Sequence, residues 1–528
     1  MARTRLTTFS KFLITLLIVG AIALLVRWLN NQGYLESIAP KAKEQEDVRG
    51  MMKEDKNSSS ATTTSEDYKK GQAVKVGVVT WGGYAGGQYF NEGFAASKNS
   101  RFFKEYGFPL EFKVLDDFDA SRAAFKSGDV DLLWATVDAF PTEVAGLKDY
   151  DPQIVFQADW SRGGDAVVVR RGINSVADLK GKTIAVAPMT PSHTFLLWLL
   201  DAGDLSIKDV KIKEVPNAID AATAFKSNQV DAAVVWSPDD DACVRAVIGS
   251  KVLESTRSAS HIIADVFIAK KSFVENNREV MNKVFEGWMR GAAEINASDA
   301  NKRKAARILA DGLNIPEADA YQAINNVRLC NYGDNANFFN LKGDYKGVTG
   351  EDLYNKMALV YSKLNYAPLN IPSWRQVANP IAVKSFAIRG TEHEAEGSKE
   401  FTPAANNQQN APAISSKALR INFRTGEYQL DENAKYIIDK EFGDIAKAFA
   451  NARIRVEGNT DDVGDYNANK ALSQKRAQSV ADYLISQYGF SRNRFIIIGN
   501  GSDNPIAPNT TDDGRAKNRR TDFELISD

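Results

Sequence analysis

A carboxylate in a loop and a guanidinium in the helix that follows can together hold a zwitterion. Asp461 follows the apolar run "RIRVEG", and Arg476 stands in the charged stretch "NANKALSQKRA". On a helical wheel of about 100° per residue, Leu472, Ala477, Val480, Ala481 and Leu484 form an apolar stripe. Lys475, Gln478, Ser479 and Asp482 fall on the other side. Arg476 lies within the arc of the stripe, and so does Asn469. Burying an unpaired guanidinium is costly, so Arg476 needs a fixed acceptor or a cleft. Two readings stay open on these residues alone. Asp461 and Arg476 form an internal salt bridge, or they grip a zwitterion, the carboxylate taking an ammonium and the guanidinium fork taking a carboxylate.

Other candidates lie at the ends of short apolar runs. "VKVGVV" leads to Trp81, "DLLWAT" ends at Thr136 with Asp138 beyond it, and "DAAVVW" ends at Trp236. "KTIAVA" runs into "PMTPSHTFLLWLL", where Ser192 is expected to cap a helix and Thr194 follows. In open α/β sheets, ligands gather beyond the carboxyl ends of strands, and the free N–H groups of a helix start suit an anion. Each residue also has a plainer role. Trp81 and Trp236 can fill the space between two lobes, Ser192 can cap and do nothing else, and the Asp239–Asp241 run can be a solvated loop. "GGYAGG", at 82–87, lacks the lysine of a phosphate loop, so no nucleotide site is read there.

The elements that must position these residues are legible in outline. Short valine- and isoleucine-rich runs alternate with helical segments, which predicts mainly parallel α/β sheets. There is an internal echo. "AAFKSGDVDLLWATVDAF" aligns without a gap with "TAFKSNQVDAAVVWSPDD" at an offset of 100. Ala124/Ala224, Phe125/Phe225, Lys126/Lys226, Ser127/Ser227, Val130/Val230 and Asp131/Asp231 match. Convergence on a common α/β hairpin would explain it; two similar lobes facing each other explain it better. From Ala418 the order strand, helix, strand, helix, strand, strand predicts a compact α/β sandwich.

The chain has 528 residues, 44% hydrophobic and 25% charged, an ordinary globular balance with room for two to four domains. Its formal net charge of −1 gives no overall pull toward nucleic acid. Cys243 and Cys330 are far apart, which excludes a cysteine zinc site and a disulfide-rich scaffold. They form one bridge or stay as free thiols. Only His193, His261 and His393 are present, which argues against a histidine metal cluster. No cofactor or metal is expected, and no paired-carboxylate or nucleophile motif makes this an enzyme.

At the N-terminus Arg3, Arg5 and Lys11 precede the apolar run Phe12–Val26. "SIA" at 37–39 is followed by Pro40, which disfavours cleavage. An uncleaved single-pass anchor in the inner membrane is the expectation, with the bulk of the chain exported to the periplasm. A cleaved signal is the alternative. The expected layout is anchor 1–39, polar tether 40–72, large domain 73–389, linker 390–416 and small domain 417–528.

Two resemblances give this layout a meaning. "VADLKGKTIAVAPMTPSHTFLLWLL" followed by "AATAFKSNQVDAAVVWSPD" resembles the periplasmic solute-binding proteins of the nitrate, sulfonate and thiamine-precursor group. That implies a type II two-lobed fold that closes on a small solute and hands it to an ABC transporter permease. Carried over by position, Trp81, Ser192, Thr194 and Trp236 would line the cleft, with Thr136 added from its place at a strand end. "SPDDDA" at 237–242 departs from the group, and an acidic edge fits an anion poorly, which points to a cationic, zwitterionic or amide ligand. Relatives of this group that make a pyrimidine precursor use histidine, lysine and cysteine; here only His193 lies near the inferred cleft.

"GNTDDVGDYNANKALSQKRAQSVADYLI" with "GRAKNRRTDFEL" resembles the OmpA-like peptidoglycan-binding domain. The resemblance implies that Asp461 and Arg476 clamp the zwitterionic end of diaminopimelate in the wall peptide, with Asn469 and Arg520 in support. Asn459 departs from the aromatic or histidine common there. A stator-like or scaffolding protein that links membrane to wall is the other whole-chain reading. A proton-driven stator would need a carboxylate in its membrane segment, and Phe12–Val26 has none.

Overall fold

Runs of three to ten residues become strands, most of them apolar and buried beneath the helices that alternate with them. The computed structural model describes residues 72–528 apart from 386, 422 and 425. The expected anchor and almost all of the expected tether lie outside the described residues. Among the described residues, no helix is long and apolar enough to cross a membrane.

The chain first builds β1 (Val74–Val78), β2 (Leu110–Val114), β3 (Leu132–Thr136) and β4 (Pro152–Ser161). It crosses over to build β5 (Asp165–Val169), β6 (Thr183–Val186), β7 (Lys211–Glu214), β8 (Ala232–Trp236) and β9 (Lys251–Ser255). It then returns as β10 (Ala264–Lys270) and β11 (Val327–Leu329). The first sheet has the order β11-β4-β10-β3-β1-β2, and the second has β7-β6-β8-β5-β9. Leaving out the edge strand β11, the two orders are the same. In each lobe the incoming strand, β10 or β5, is antiparallel between two neighbours, while β1–β2, β1–β3, β6–β7 and β6–β8 are parallel.

The sequence echo is this repeated lobe. Asp131 Oδ2 accepts from the Lys75 backbone N–H at 2.8 Å, and the Asp131 N–H donates to the Lys75 carbonyl at 2.9 Å. Asp231 does the same with Thr183, at 2.8 and 2.9 Å. A carboxylate at the start of the third strand thus ties down the first strand in both lobes. The helical tail then braces the pair. Tyr361, on the helix Gly350–Lys363, places its hydroxyl 2.8 Å from Thr194 Oγ1 in the second lobe. The same helix packs on Phe140–Leu147 of the first lobe.

The small domain is a sheet of order β12-β15-β13-β14, with β12 (Ser415–Leu419), β13 (Arg453–Asn459), β14 (Phe495–Gly501) and β15 (Thr521–Ile526). The expected strand "ALRINF" is shifted: β12 starts earlier and stops at Leu419. The helix expected near 431–450 is interrupted by a π turn at Asp439–Gly443. The helix Tyr466–Tyr488 lies on β13 and β14 so closely that a Cβ at Gly458 would meet the Ser473 carbonyl oxygen at 2.2 Å.

Residues 390–416 are laid against both domains. Glu396 pairs with Arg162 at 2.6 Å, and Phe401 is buried beneath Arg453. The small domain also touches both parts of the large one. Lys417 Nζ bonds Asp201 Oδ1 at 2.8 Å in the second lobe, and the His261 N–H donates to the Ala448 carbonyl at 3.0 Å.

Candidate functional site

Two sites emerge, one in each domain. In the cleft, Trp81, Thr136 and Trp236 come together. They line a chamber of about 20 Å³ with Trp134, Asp165 and Asp265. The Trp81 and Trp236 rings meet edge to face at 6.5 Å. That volume holds about one water molecule, so the lobes stand closed. Trp134, Thr136 and Pro191 also border an outer vestibule of about 490 Å³ between the lobes.

Ser192 and Thr194 do not line the chamber. Ser192 is not the cap of its helix; Thr190 holds the N-cap position and its hydroxyl turns back to the Ala187 carbonyl at 2.8 Å. The reason is Pro191, which takes the first helical position and moves the helix start back by two residues. Ser192 Oγ is buried without a hydrogen-bond partner. Thr194 is engaged by Tyr361 from the tail, a contact between segments far apart in the chain. The Asp239–Asp241 run forms the first turn of the helix Asp239–Ala246, where carboxylates favour the helix's positive end.

The sequence reading missed a set of buried carboxylates around the chamber. Asp159, Asp165 and Asp265 join Asp138, and all four are almost wholly removed from solvent. Asp159 Oδ2 accepts from Trp81 Nε1 at 3.2 Å, Asp265 Oδ2 from the Tyr84 hydroxyl at 2.6 Å, and Asp165 Oδ2 from Ser161 Oγ at 2.7 Å. Burial raises Asp138 and Asp165 to about 7, and it raises Asp159 and Asp265 well above the usual carboxylate range. Repulsion adds to this: Asp265 acts on Asp159, and Asp165 acts on both. The offset of 100 that relates the two echoed segments also relates two of these carboxylates, although both lie beyond those segments. Asp165 and Asp265 stand one repeat apart, and in register each faces the end of its lobe's third strand, Asp165 opposite Trp236 and Asp265 opposite Thr136.

His193 is buried and held neutral, pushed down to about 4 by burial, with Nδ1 accepting from the Met189 N–H at 3.2 Å. Cys243 and Cys330 are buried free thiols, and burial raises both.

In the small domain, Asp461, Asn469, Arg476 and Arg520 all line one cavity of about 750 Å³. Asp461 does not pair with Arg476. Its Oδ2 takes an ion pair from Arg519 Nη1 at 2.5 Å, and its Oδ1 accepts from the Val463 N–H at 3.2 Å. Arg476 donates to the carbonyls of Glu427 at 3.0 Å and Arg424 at 3.3 Å, with its guanidinium 4.8 Å from the Phe423 ring centre. Burial lowers its pKa from the usual value, and Asp461 pulls it back up. The internal salt bridge is therefore replaced by backbone acceptors on the segment before the first helix. Asn469 Nδ2 donates to the Val463 carbonyl at 3.0 Å and so holds the Asp461 loop. Arg520 pairs with Asp522 within the fold, at 2.8 and 2.9 Å.

Residues 422–519 match the OmpA family, and residues 68–310 match the NMT1-like family. The outer membrane porin F of Pseudomonas aeruginosa is 36% identical over 107 residues, 20% of this chain and 30% of that protein. The peptidoglycan-binding protein ArfA of Mycobacterium bovis is 44% identical over 90 residues, 17% of this chain and 27% of that protein. The chain thus spans less than a third of the length of these relatives. The periplasmic aliphatic sulphonate binding protein SsuA of Escherichia coli aligns over 64% of this chain and 98% of its own, at 18% identity and a TM-score of 0.47. Two family models thus match successive parts of the chain, the NMT1-like family over 68–310 and the OmpA family over 422–519.

Proposed function

We propose that this is a binding protein of the cell envelope, which takes a small solute in its two-lobed cleft and holds peptidoglycan non-covalently through its small domain. The observation that carries the wall reading is the shared cavity. Asp461 and Arg476 face one space of about 750 Å³ from a loop and from a helix, and neither neutralises the other. A carboxylate and a guanidinium so arranged suit the ammonium and carboxylate of diaminopimelate. Asn469 steadies the loop, and Arg520 shapes the wall of the cavity from its pair with Asp522. The match to the OmpA family and the similarity to ArfA, a peptidoglycan-binding protein, support this reading.

The match to the NMT1-like family and the repeated lobe support the solute-binding half. In this proposal the N-terminal run Phe12–Val26 anchors the chain in the inner membrane, the rest lies in the periplasm, and an ABC permease receives the solute. The small size of the closed chamber favours a second reading, in which the large domain docks a protein and the whole chain is an envelope scaffold.

Sedimentation of the full chain with purified sacculi tests the wall half. The parent protein should co-sediment, and Asp461→Ala and Arg476→Ala should each remain in the supernatant. Co-sedimentation of both variants at the parent level would sink the clamp.

A further inference from the structure

The solute-binding reading does not say what the cleft takes. We propose that it takes a small organic cation carrying N–H donors, a primary amine or a guanidine; this rests on the solute-binding reading above. The cleft walls supply acceptors that the protein leaves unused. Thr136 Oγ1 and Asp165 Oδ1 at the chamber, and Asp159 Oδ1 behind Trp81, are buried with no hydrogen-bond partner, although the Trp236 indole steadies the Asp165 carboxylate. Buried polar atoms without partners are uncommon, and two in the lining of one chamber with a third behind its Trp81 wall call for a donor from outside. The carboxylates come from both lobes. Asp138, Asp159 and Asp265 belong to the first, and Asp165 opens β5 of the second.

The rest of the lining points the same way. Trp81, Trp134 and Trp236 border the chamber; the Trp134 ring already carries Arg122 at 4.7 Å, and the indoles of Trp81 and Trp236 are left to attract an organic cation. The vestibule outside carries Asp116, Asp117, Asp119 and Glu143 against the single cation Arg122, and Glu143 already neutralises Arg122 at 2.6 Å. Asp240, at the edge, adds another negative charge toward Asp165. A metal ion is a poorer fit. Among the described residues no three histidine, cysteine or acidic side chains are grouped as metal ligands.

The same charges oppose closure. Bringing Asp165 toward Asp159 and Asp265 sets like charges against each other unless protons or a cation offset them. A bound ammonium or guanidinium would replace those protons and bridge the lobes, in a chamber widened from its present volume of about 20 Å³ toward the vestibule.

The test uses the full chain, with putrescine, agmatine, choline, butanesulfonate, nitrate and calcium as probes, read by thermal shift and by calorimetry. Putrescine or agmatine should raise the melting temperature saturably, and Asp165→Asn and Asp265→Asn, checked for native circular dichroism, should each weaken binding at least tenfold. Stabilisation by butanesulfonate or nitrate, with the amines silent, would overturn the cation class and leave solute binding standing. Binding of choline or calcium without the amines would also overturn the class proposed. Silence of every probe by both methods would overturn this inference together with the solute-binding reading.

Discussion

Asp461 gives its ion pair to Arg519, not to the helix residue Arg476 that faces the same cavity. The Arg519 side chain keeps 49% of its exposure, so this bridge is of the surface kind, worth about 0–1 kcal/mol. An incoming ammonium must therefore compete with Arg519 for Asp461, and the competition is weak. Arg519→Ala should leave wall binding intact and tighten it by no more than about fivefold. Titration calorimetry with a diaminopimelate-containing peptide checks this. A loss of binding comparable to that of Asp461→Ala would make Arg519 part of the clamp instead.

Asp165 gives a pH signature. Its folded value, raised by burial to about 7, stands above the ordinary 3.8. Below about pH 4 both states hold the proton. As pH rises from about 4 to 7 the unfolded chain releases it first, so ligand-free stability falls through that window and stays reduced above it. Asp165→Asn should therefore match the parent near pH 4 and exceed it at pH 8 by on the order of 1–3 kcal/mol. Urea unfolding at the two pH values measures the difference, and a variant less stable at pH 8 would contradict it.

The repeated carboxylates Asp131 and Asp231 should be interchangeable in effect. Each accepts the backbone N–H of a first strand, from Lys75 and Thr183 respectively. Removing either acceptor leaves a strand amide unpaired, at about 1–3 kcal/mol. Asp131→Ala and Asp231→Ala should lower stability by similar amounts in denaturant melts. A loss confined to one lobe would mean that the echo is not a structural repeat.

Gly164 packs against the Trp81 ring at the cleft. A Cβ there would fall 2.1 Å from the edge of the Trp81 ring. Gly164→Ala should force the ring away and hold the lobes apart, enlarging the radius of gyration seen by X-ray scattering, with little change in secondary structure. Scattering identical to the parent would show that Trp81 can yield without opening the cleft.

The residues themselves determined a good deal. Alternating apolar runs and helical periods specified mixed α/β elements, because periodicity is a property of neighbouring positions. The ungapped match of 123–140 with 223–240 pointed to two similar lobes, and the strand orders are indeed the same. The motif around Asp461, Asn469 and Arg476 was legible because its residues are close in the chain and carry unusual charges on an apolar stripe.

Only the tertiary structure decided who partners whom. Arg476 meets Glu427 and Arg424, Thr194 meets Tyr361, and Asp461 meets Arg519, all across long stretches of chain. The acidic character of the cleft was expected from "SPDDDA", yet its deepest carboxylates, Asp159, Asp165 and Asp265, sit singly within apolar strands. An isolated aspartate in a valine-rich run carries no pattern of its own. It acquires meaning only when chain crossovers bring several such residues to one chamber, where burial and mutual repulsion change their chemistry.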